Sequence, residues 1–184
     1  GIAEKLYAKI KARMEKFRIG DSLDKCIDMG AIVDESQLQT ISKLVQQGVD
    51  EGGEIYQPKC PCPTDGYFYP PTLFTNISPS ATIAQQEIFG PVLCAIPYKD
   101  EEDAIRIANN SIYGLSGAIW SGDTDRALSV ARKIRTGTLS VNGAQWFHVD
   151  TPFGGYRQSG VGRENGVAGF EEYLETKIIA VPSS

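Results

Sequence analysis

The stretch PVLCAIPYKDEEDAIRIANNSIYGLSGAIWSGDTDRALSVARKIRTGTLSVN, residues 91–142, alternates apolar runs with helical stripes, and its reading decides the fold class. Pro91 to Ile96 is an unbroken apolar run of the kind a buried strand carries. Asp100 stands at the N-cap of a helix through Asn109, and Leu115 to Trp120 forms a second strand. Asp123 then caps a helix bearing Ala127, Leu128, Ala131 and Ile134, and Gly137 to Asn142 forms a third strand. Strands separated by single helices predict right-handed crossovers, hence an α/β fold with a parallel βαβαβ sheet and flanking helices. Ligands of such sheets gather beyond the strand carboxyl ends, here around Gly122 and Asn142.

Upstream, Ile2, Leu6, Ile10 and Met14 recur every fourth residue, with Phe17 three further on, and predict an amphipathic helix ending near Gly20. Asp34 with Gln37 three residues later is a capping-box pattern. It opens a helix carrying Leu38, Ile41, Leu44, Val45 and Val49 that stops at Gly52-Gly53. Pro58 to Pro71 holds five prolines around Tyr67-Phe68-Tyr69. That segment reads as extended loop with a short edge strand, because proline cannot donate to a ladder. Downstream of Asn142 come Gln145-Trp146-Phe147-His148 and a glycine-rich run from Thr151 to Glu164. The last apolar run, Thr176 to Val181, reads as a strand that needs a neighbour, either in its own sheet or in a partner's.

Composition narrows the function classes. The 184 residues carry 18 Lys and Arg against 23 Asp and Glu, a net charge of -5. That balance argues against a phosphate-backbone binder, so no nucleic-acid partner is expected. No window reaches the roughly 18 uncharged apolar residues of a membrane span, so no membrane partner is expected either. The four cysteines, Cys26, Cys60, Cys62 and Cys94, are sparse for a disulfide-stapled secreted domain, and reduced thiols in the cytoplasm are the expectation. With one histidine, His148, no familiar zinc spacing assembles and no metal site is expected.

Several residues permit sharper chemistry without demanding it. Glu87 can accept two hydrogen bonds from a vicinal diol such as a ribose, and Phe89 offers a face to a flat ring; a solvated loop carboxylate is the plainer alternative. Trp146, Phe147 and Phe153 can line an apolar tunnel or simply join a core. Gly160-Val161-Gly162 with Gly166 is a poor dinucleotide fingerprint, lacking a preceding strand, and reads as a turning loop. Arg163-Glu164 alone reads as a loop ion pair.

Five motifs stand in one order: Glu87-Ile88-Phe89-Gly90-Pro91, Tyr113-Gly114-Leu115-Ser116-Gly117, Gly137-Thr138-Leu139-Ser140-Val141-Asn142, Pro152 to Gly160, and Gly162-Arg163-Glu164. Met29 to Val33 and Gly66 to Leu73 add two more segments. In this order the chain resembles the NAD(P)-dependent aldehyde dehydrogenase superfamily over essentially its whole length. The resemblance implies a cofactor, NAD or NADP, with Glu87 on the nicotinamide ribose hydroxyls and Phe89 beside the nicotinamide. It implies an aldehyde substrate tunnel touched by Phe153, with Trp146, Phe147 and His148 at its mouth, and a proton-relay role for Glu164.

Family chemistry also needs a cysteine nucleophile and a general base. None of the four cysteines has matching surroundings, and Cys94, inside an apolar strand, is expected to be inert. The expectation is therefore the carboxyl-terminal part of a longer dehydrogenase, inactive alone. On that reading residues 1–172 are the later portion of the catalytic domain and 173–184 an oligomerisation strand and tail. The partners implied are the rest of the same polypeptide and a second copy joined through residues 176–181. The alternative is a noncatalytic pseudoenzyme or scaffold segment retained for assembly.

Overall fold

The stripe of Ile2, Leu6, Ile10 and Met14 forms α1 (Ala3–Met14), which ends a turn before Phe17. Lys16 and Phe17 donate to the Arg13 and Met14 carbonyls, so the last turn tightens and carries Phe17 off the helix. A computed structural model describes residues 1–145 and 147–182 and divides into two units, 1–98 and 99–184. In the first unit α1 is followed by α2 (Glu35–Asp50), whose N-cap is Asp34 as predicted: its carboxylate accepts from the Gln37 N–H at 2.8 Å. α2 buries Ile41, Leu44, Val45 and Gly48. Then come β1 (Glu54–Tyr56), β2 (Thr72–Thr75), α3 (Thr82–Gln85) and β3 (Val92–Cys94). The strands lie in the order β1-β2-β3, antiparallel then parallel.

The core of this unit is the face of α2 laid on β2. Ile41, Phe74 and Ile83 are almost wholly excluded from solvent, with Leu44, Val45, Ile77 and Ala81 around them. The edge strand expected inside Pro58 to Pro71 is instead displaced to its two flanks. β1 precedes the prolines, and β2 begins immediately after Pro71, where Thr72 donates to the Pro91 carbonyl at 2.8 Å. Proline's missing donor explains the gap. β2, central in the ladder, is the buried strand, whereas β3 lies at the ladder's edge and leaves Leu93 50% exposed.

The second unit holds α4 (Glu101–Asn109), β4 (Ser116–Ile119), α5 (Thr124–Ala131), β5 (Thr138–Val141), a single 3-10 turn (Arg157–Ser159) and α6 (Gly166–Glu171). Both helix caps follow the sequence: Asp100 accepts from the Asp103 N–H and Asp123 from the Arg126 N–H. β4 and β5 pair in parallel, Ser116 opposite Thr138 through Ile119 opposite Val141. The Asn109 side chain ties the end of α4 to the turn before β5, donating to the Lys133 carbonyl and accepting from the Arg135 N–H, both at 2.8 Å.

The α/β class and the parallel pairing are as expected, but the three predicted strands occupy two ladders rather than one. β3 pairs with β2, and β4 with β5. An alternating strand and helix pattern fixes strand direction and leaves adjacency open, since consecutive strands are neighbours only about two-thirds of the time. Thr176 to Val181, expected as a strand, has no regular structure or ladder partner among the described residues, and Ile178, Ile179 and Val181 are exposed. A strand needs a partner ladder, and none of the described ladders pairs with this run. Among the described residues no helix is long and apolar enough to cross a membrane.

Cys94, on β3, donates weakly to the Ile83 carbonyl, and burial pushes its thiol up to about 11. Burial raises Cys60 and Cys62 as well, with Glu15 adding to the effect on Cys60 and Cys60 to that on Cys62. All four cysteines are free thiols. Burial penalises the thiolate, so at pH 8 only about one Cys94 in a thousand is nucleophilic. Iodoacetamide labelling followed by peptide mass mapping should therefore modify exposed Cys26 first and Cys94 last, with Cys94 gaining reactivity only as pH climbs toward 11. Early native labelling of Cys94 would contradict its burial.

A Cβ on Gly137 would fall 1.6 Å from the Gly154 carbonyl oxygen, backbone against backbone. Gly137→Ala should destabilise by about 3 kcal/mol or more. Gly122→Ala, whose Cβ meets nothing within 4 Å, should change stability by less than about 0.5 kcal/mol. Urea denaturation of the two variants side by side checks both.

Candidate functional site

Two groups of predicted residues come together, one in each unit. In the first unit, the chain leaves α3 and runs through Gln86 to Pro91 with no regular structure before β3. Ile88 packs against the apolar core, whereas Glu87 and Phe89 on either side of it are exposed, Phe89 at 74%. Ile88 is anchored inward while the residues on either side of it lie at the surface. No hydrogen bond or ion pair engages the Glu87 carboxylate among the described residues, so both oxygens are available.

α2 holds this segment at two points. Gln37 donates its side-chain N–H to the Ile88 carbonyl at 2.8 Å. One turn further along, Ile41 sits so close beneath Gly90 that a Cβ there would lie 2.6 Å from the Ile41 Cδ1. Between these holds Phe89 takes φ of +50°, a left-handed conformation that is rare for a bulky aromatic residue. Together an exposed ring and a carboxylate with both oxygens available can stack on a flat ring and accept hydrogen bonds from hydroxyls.

In the second unit, Phe153 and Glu164 face each other across an isolated antiparallel bridge. Phe153 N–H donates to the Glu164 carbonyl at 2.8 Å, and Glu164 N–H returns to the Phe153 carbonyl at 2.7 Å. This bridge closes the glycine-rich run into a loop, which is anchored at Gly114: the Gly114 carbonyl accepts from Gly137 and Tyr156, and its N–H donates to the Ser159 hydroxyl. The Phe147 ring meets Phe153 edge to face, 6.0 Å between centroids. A concavity of about 360 Å³ opens beside them, lined by Leu115, Phe153, Arg163, Glu164 and Glu172 among others.

The other candidates fall as follows. Trp146 lies outside the described residues. His148 is exposed and turned to Asp150, whose carboxylate is 3.6 Å from its Nδ1. Asn142 spends its side-chain oxygen on the Ser121 N–H at 2.9 Å, tying together the carboxyl ends of β4 and β5. Arg163 and Glu164 form no ion pair. The Arg163 guanidinium instead donates to the Gly155 and Gly162 carbonyls and stands over the Tyr156 ring, 5.5 Å from its centroid. Adjacent residues in a bridged strand point to opposite sides, which keeps their charged ends apart. The run from Gly160 to Gly166 is a loop entering α6, as expected. Among the described residues no cluster of three or more His, Cys, Asp or Glu could hold a metal ion.

Sequence reading missed Gln37, which it treated only as half of a capping box. Its side chain crosses 51 positions to Ile88 instead of turning back to Asp34. No local pattern signals a partner at that distance.

Residues 1–179 match the aldehyde dehydrogenase family. The 3-succinoylsemialdehyde-pyridine dehydrogenase of a Pseudomonas species is 44% identical over 164 residues, 88% of this chain and 34% of that protein. The betaine aldehyde dehydrogenase of Bacillus subtilis is 36% identical over 180 residues, 96% of this chain and 37% of that one. Among solved structures, betaine aldehyde dehydrogenase from Staphylococcus aureus in complex with NAD+ aligns with a TM-score of 0.91 at 37% identity, covering 96% of this chain and 36% of its own. A mutant of aldehyde dehydrogenase C from Pseudomonas syringae, complexed with NAD+ and octanal, aligns at 0.92 with 36% identity, covering 100% of this chain and 39% of its own. The chain thus spans under two-fifths of the length of these relatives. With a family match over nearly every residue and the fold to accompany it, the chain belongs to the aldehyde dehydrogenase family.

Proposed function

We propose that this chain is the carboxyl-terminal part of an NAD(P)-dependent aldehyde dehydrogenase that oxidises an aldehyde to a carboxylic acid. The observation that carries the reading is the Glu87–Phe89 pair: a free carboxylate and a strained, exposed ring on either side of Ile88 in an anchored segment. These residues fit the nicotinamide end of the cofactor. Glu87 accepts hydrogen bonds from the ribose diol, and Phe89 offers its face to the nicotinamide ring. When bound, the cofactor supplies the hydride acceptor.

In the same reading Phe153 and Phe147 shape the apolar path of the aldehyde, and Glu164, exposed and carried on the bridge opposite Phe153, relays a proton. The nucleophilic thiolate and its general base come from residues of the polypeptide outside these 184, which agrees with the short coverage of the relatives. Cys94, half-buried and with its thiol pushed up to about 11, is unsuited to that task. The exposed Ile178, Ile179 and Val181 support the assembly of two copies through residues 176–181. The free thiols fit a cytoplasmic setting.

The scaffold alternative keeps the terminal run and abandons the chemistry; the free carboxylate of Glu87 beside a strained Phe89 has no use in it. Turnover decides between the two. The full-length polypeptide should reduce NAD+ or NADP+ with at least one of propanal, octanal or betaine aldehyde, and the 184-residue chain alone should not. Glu87→Gln exchanges a charged acceptor for an amide at about 1.5–3 kcal/mol, so it should weaken NADH binding roughly 10- to 100-fold in fluorescence titration. A full-length protein inactive with every aldehyde, and binding NADH equally well as Glu87→Gln, would overturn the proposal.

A further inference from the structure

In an ordinary capping box the residue at the third helical position turns its side chain back to the N-cap N–H. Gln37 occupies that position on α2, and its own N–H is already held by the Asp34 carboxylate at 2.8 Å. Its side-chain amide is diverted to the Ile88 carbonyl, also at 2.8 Å and partly shielded from water. That carbonyl belongs to the peptide leading into Phe89, the residue held at φ of +50°. On the other side of Phe89, Gly90 rests on the fully buried Ile41, four residues along the same helix from Gln37. Residues four apart share a helix face, so one face of α2 grips the chain immediately before and after the strained residue.

A strained backbone persists only where its surroundings over-determine it. Ile41 fixes Gly90 by contact alone, which blocks approach but sets no direction for the peptide. The Gln37 hydrogen bond sets the direction of the Ile88 carbonyl and with it the rotation that carries Phe89 and Glu87 outward. We infer that Gln37 is a positioning residue for the cofactor pocket: its amide N–H on the Ile88 carbonyl holds Phe89 in the left-handed conformation that presents Glu87 and Phe89 together. This rests on the assignment of those two residues to the nicotinamide ribose.

The test uses the full-length polypeptide and NADH as the probe. Gln37→Leu and the closer isostere Gln37→Met remove the donor, Gln37→Lys keeps one, and Gln37→Glu sets a carboxylate against the Ile88 carbonyl. NADH dissociation constants should rise roughly 3- to 10-fold in Gln37→Leu and Gln37→Met, as expected for one lost hydrogen bond. They should stay within about twofold in Gln37→Lys and rise most in Gln37→Glu, because the order follows the donor and not the packing. KM for the cofactor should rise in the same order with kcat for aldehyde oxidation nearly constant. Combining Gln37→Met with Glu87→Gln should give less than the product of the single effects, since both act on one contact.

Should Gln37→Leu fail to fold, the comparison of Gln37→Met with Gln37→Lys, at matched urea midpoints, decides alone. Equal NADH affinity in those two variants, while Glu87→Gln still weakens binding, would overturn the positioning role and leave the site assignment standing. Unchanged affinity in Glu87→Gln itself would overturn the site assignment and, with it, the role of Gln37.

Discussion

Ile41 lies beneath Gly90 with no room for a single methyl group between them, and the geometry of the first unit's site depends on that approach. Ile41 belongs to the same buried cluster as Phe74 and Ile83, so it cannot move without opening the core. Protein interiors are packed as densely as organic crystals, and an immovable side chain there acts as a fixed support. The chain passes over this support as Gly90, drops Ile88 into the cluster, and so must turn Glu87 and Phe89 away from it. Core packing thus bars the two residues proposed to hold the cofactor from turning inward, and the Gln37 hydrogen bond to the Ile88 carbonyl sets their direction.

The second unit solves a similar problem with backbone rather than side chains. Phe153 and Glu164 are held by two reciprocal main-chain bonds, and the loop between them is docked on Gly114 and on Gly137. Both arrangements put irregular chain, which can aim a side chain in any direction, on regular elements that fix it in space. Loops positioned by a rigid scaffold are where binding chemistry concentrates.

Legibility in the sequence followed the range of the interaction. Asp34, Asp100 and Asp123 were readable as helix caps because each partner lies three residues ahead, within the grammar of a single turn. Helix identity was readable from periodicity, although α1 stopped before Phe17 once its last turn tightened. Strand adjacency was not readable, because whether β3 meets β2 or β4 depends on contacts far apart in the chain. The chemistry of Glu87 and Phe89 permitted a diol and a flat ring, and only the family resemblance favoured that reading over a solvated loop; their placement about a partly buried Ile88 and the positive φ at Phe89 are three-dimensional facts. Arg163 was misread as a partner for its neighbour because local charge suggests pairing, while two main-chain carbonyls and an aromatic face satisfy it better.

The two supports also differ in what can disturb them. A main-chain bridge survives most side-chain changes, so the placement of Phe153 and Glu164 is vulnerable chiefly where a Cβ would enter the backbone contact, as at Gly137 or Gly154. Placement of Glu87 and Phe89 has a single side-chain hydrogen bond as its directional element, and such a bond contributes only about 0.5–1.5 kcal/mol. That is comparable to the roughly 1–3 kcal/mol by which a residue in a sparsely populated backbone region is disfavoured. The segment at Phe89 is therefore held near balance, with core packing excluding collapse inward and one amide choosing the conformation. A segment so poised can be retuned by one substitution on α2 while the core beneath it stays intact, and the glycine-docked loop has no equivalent adjustment.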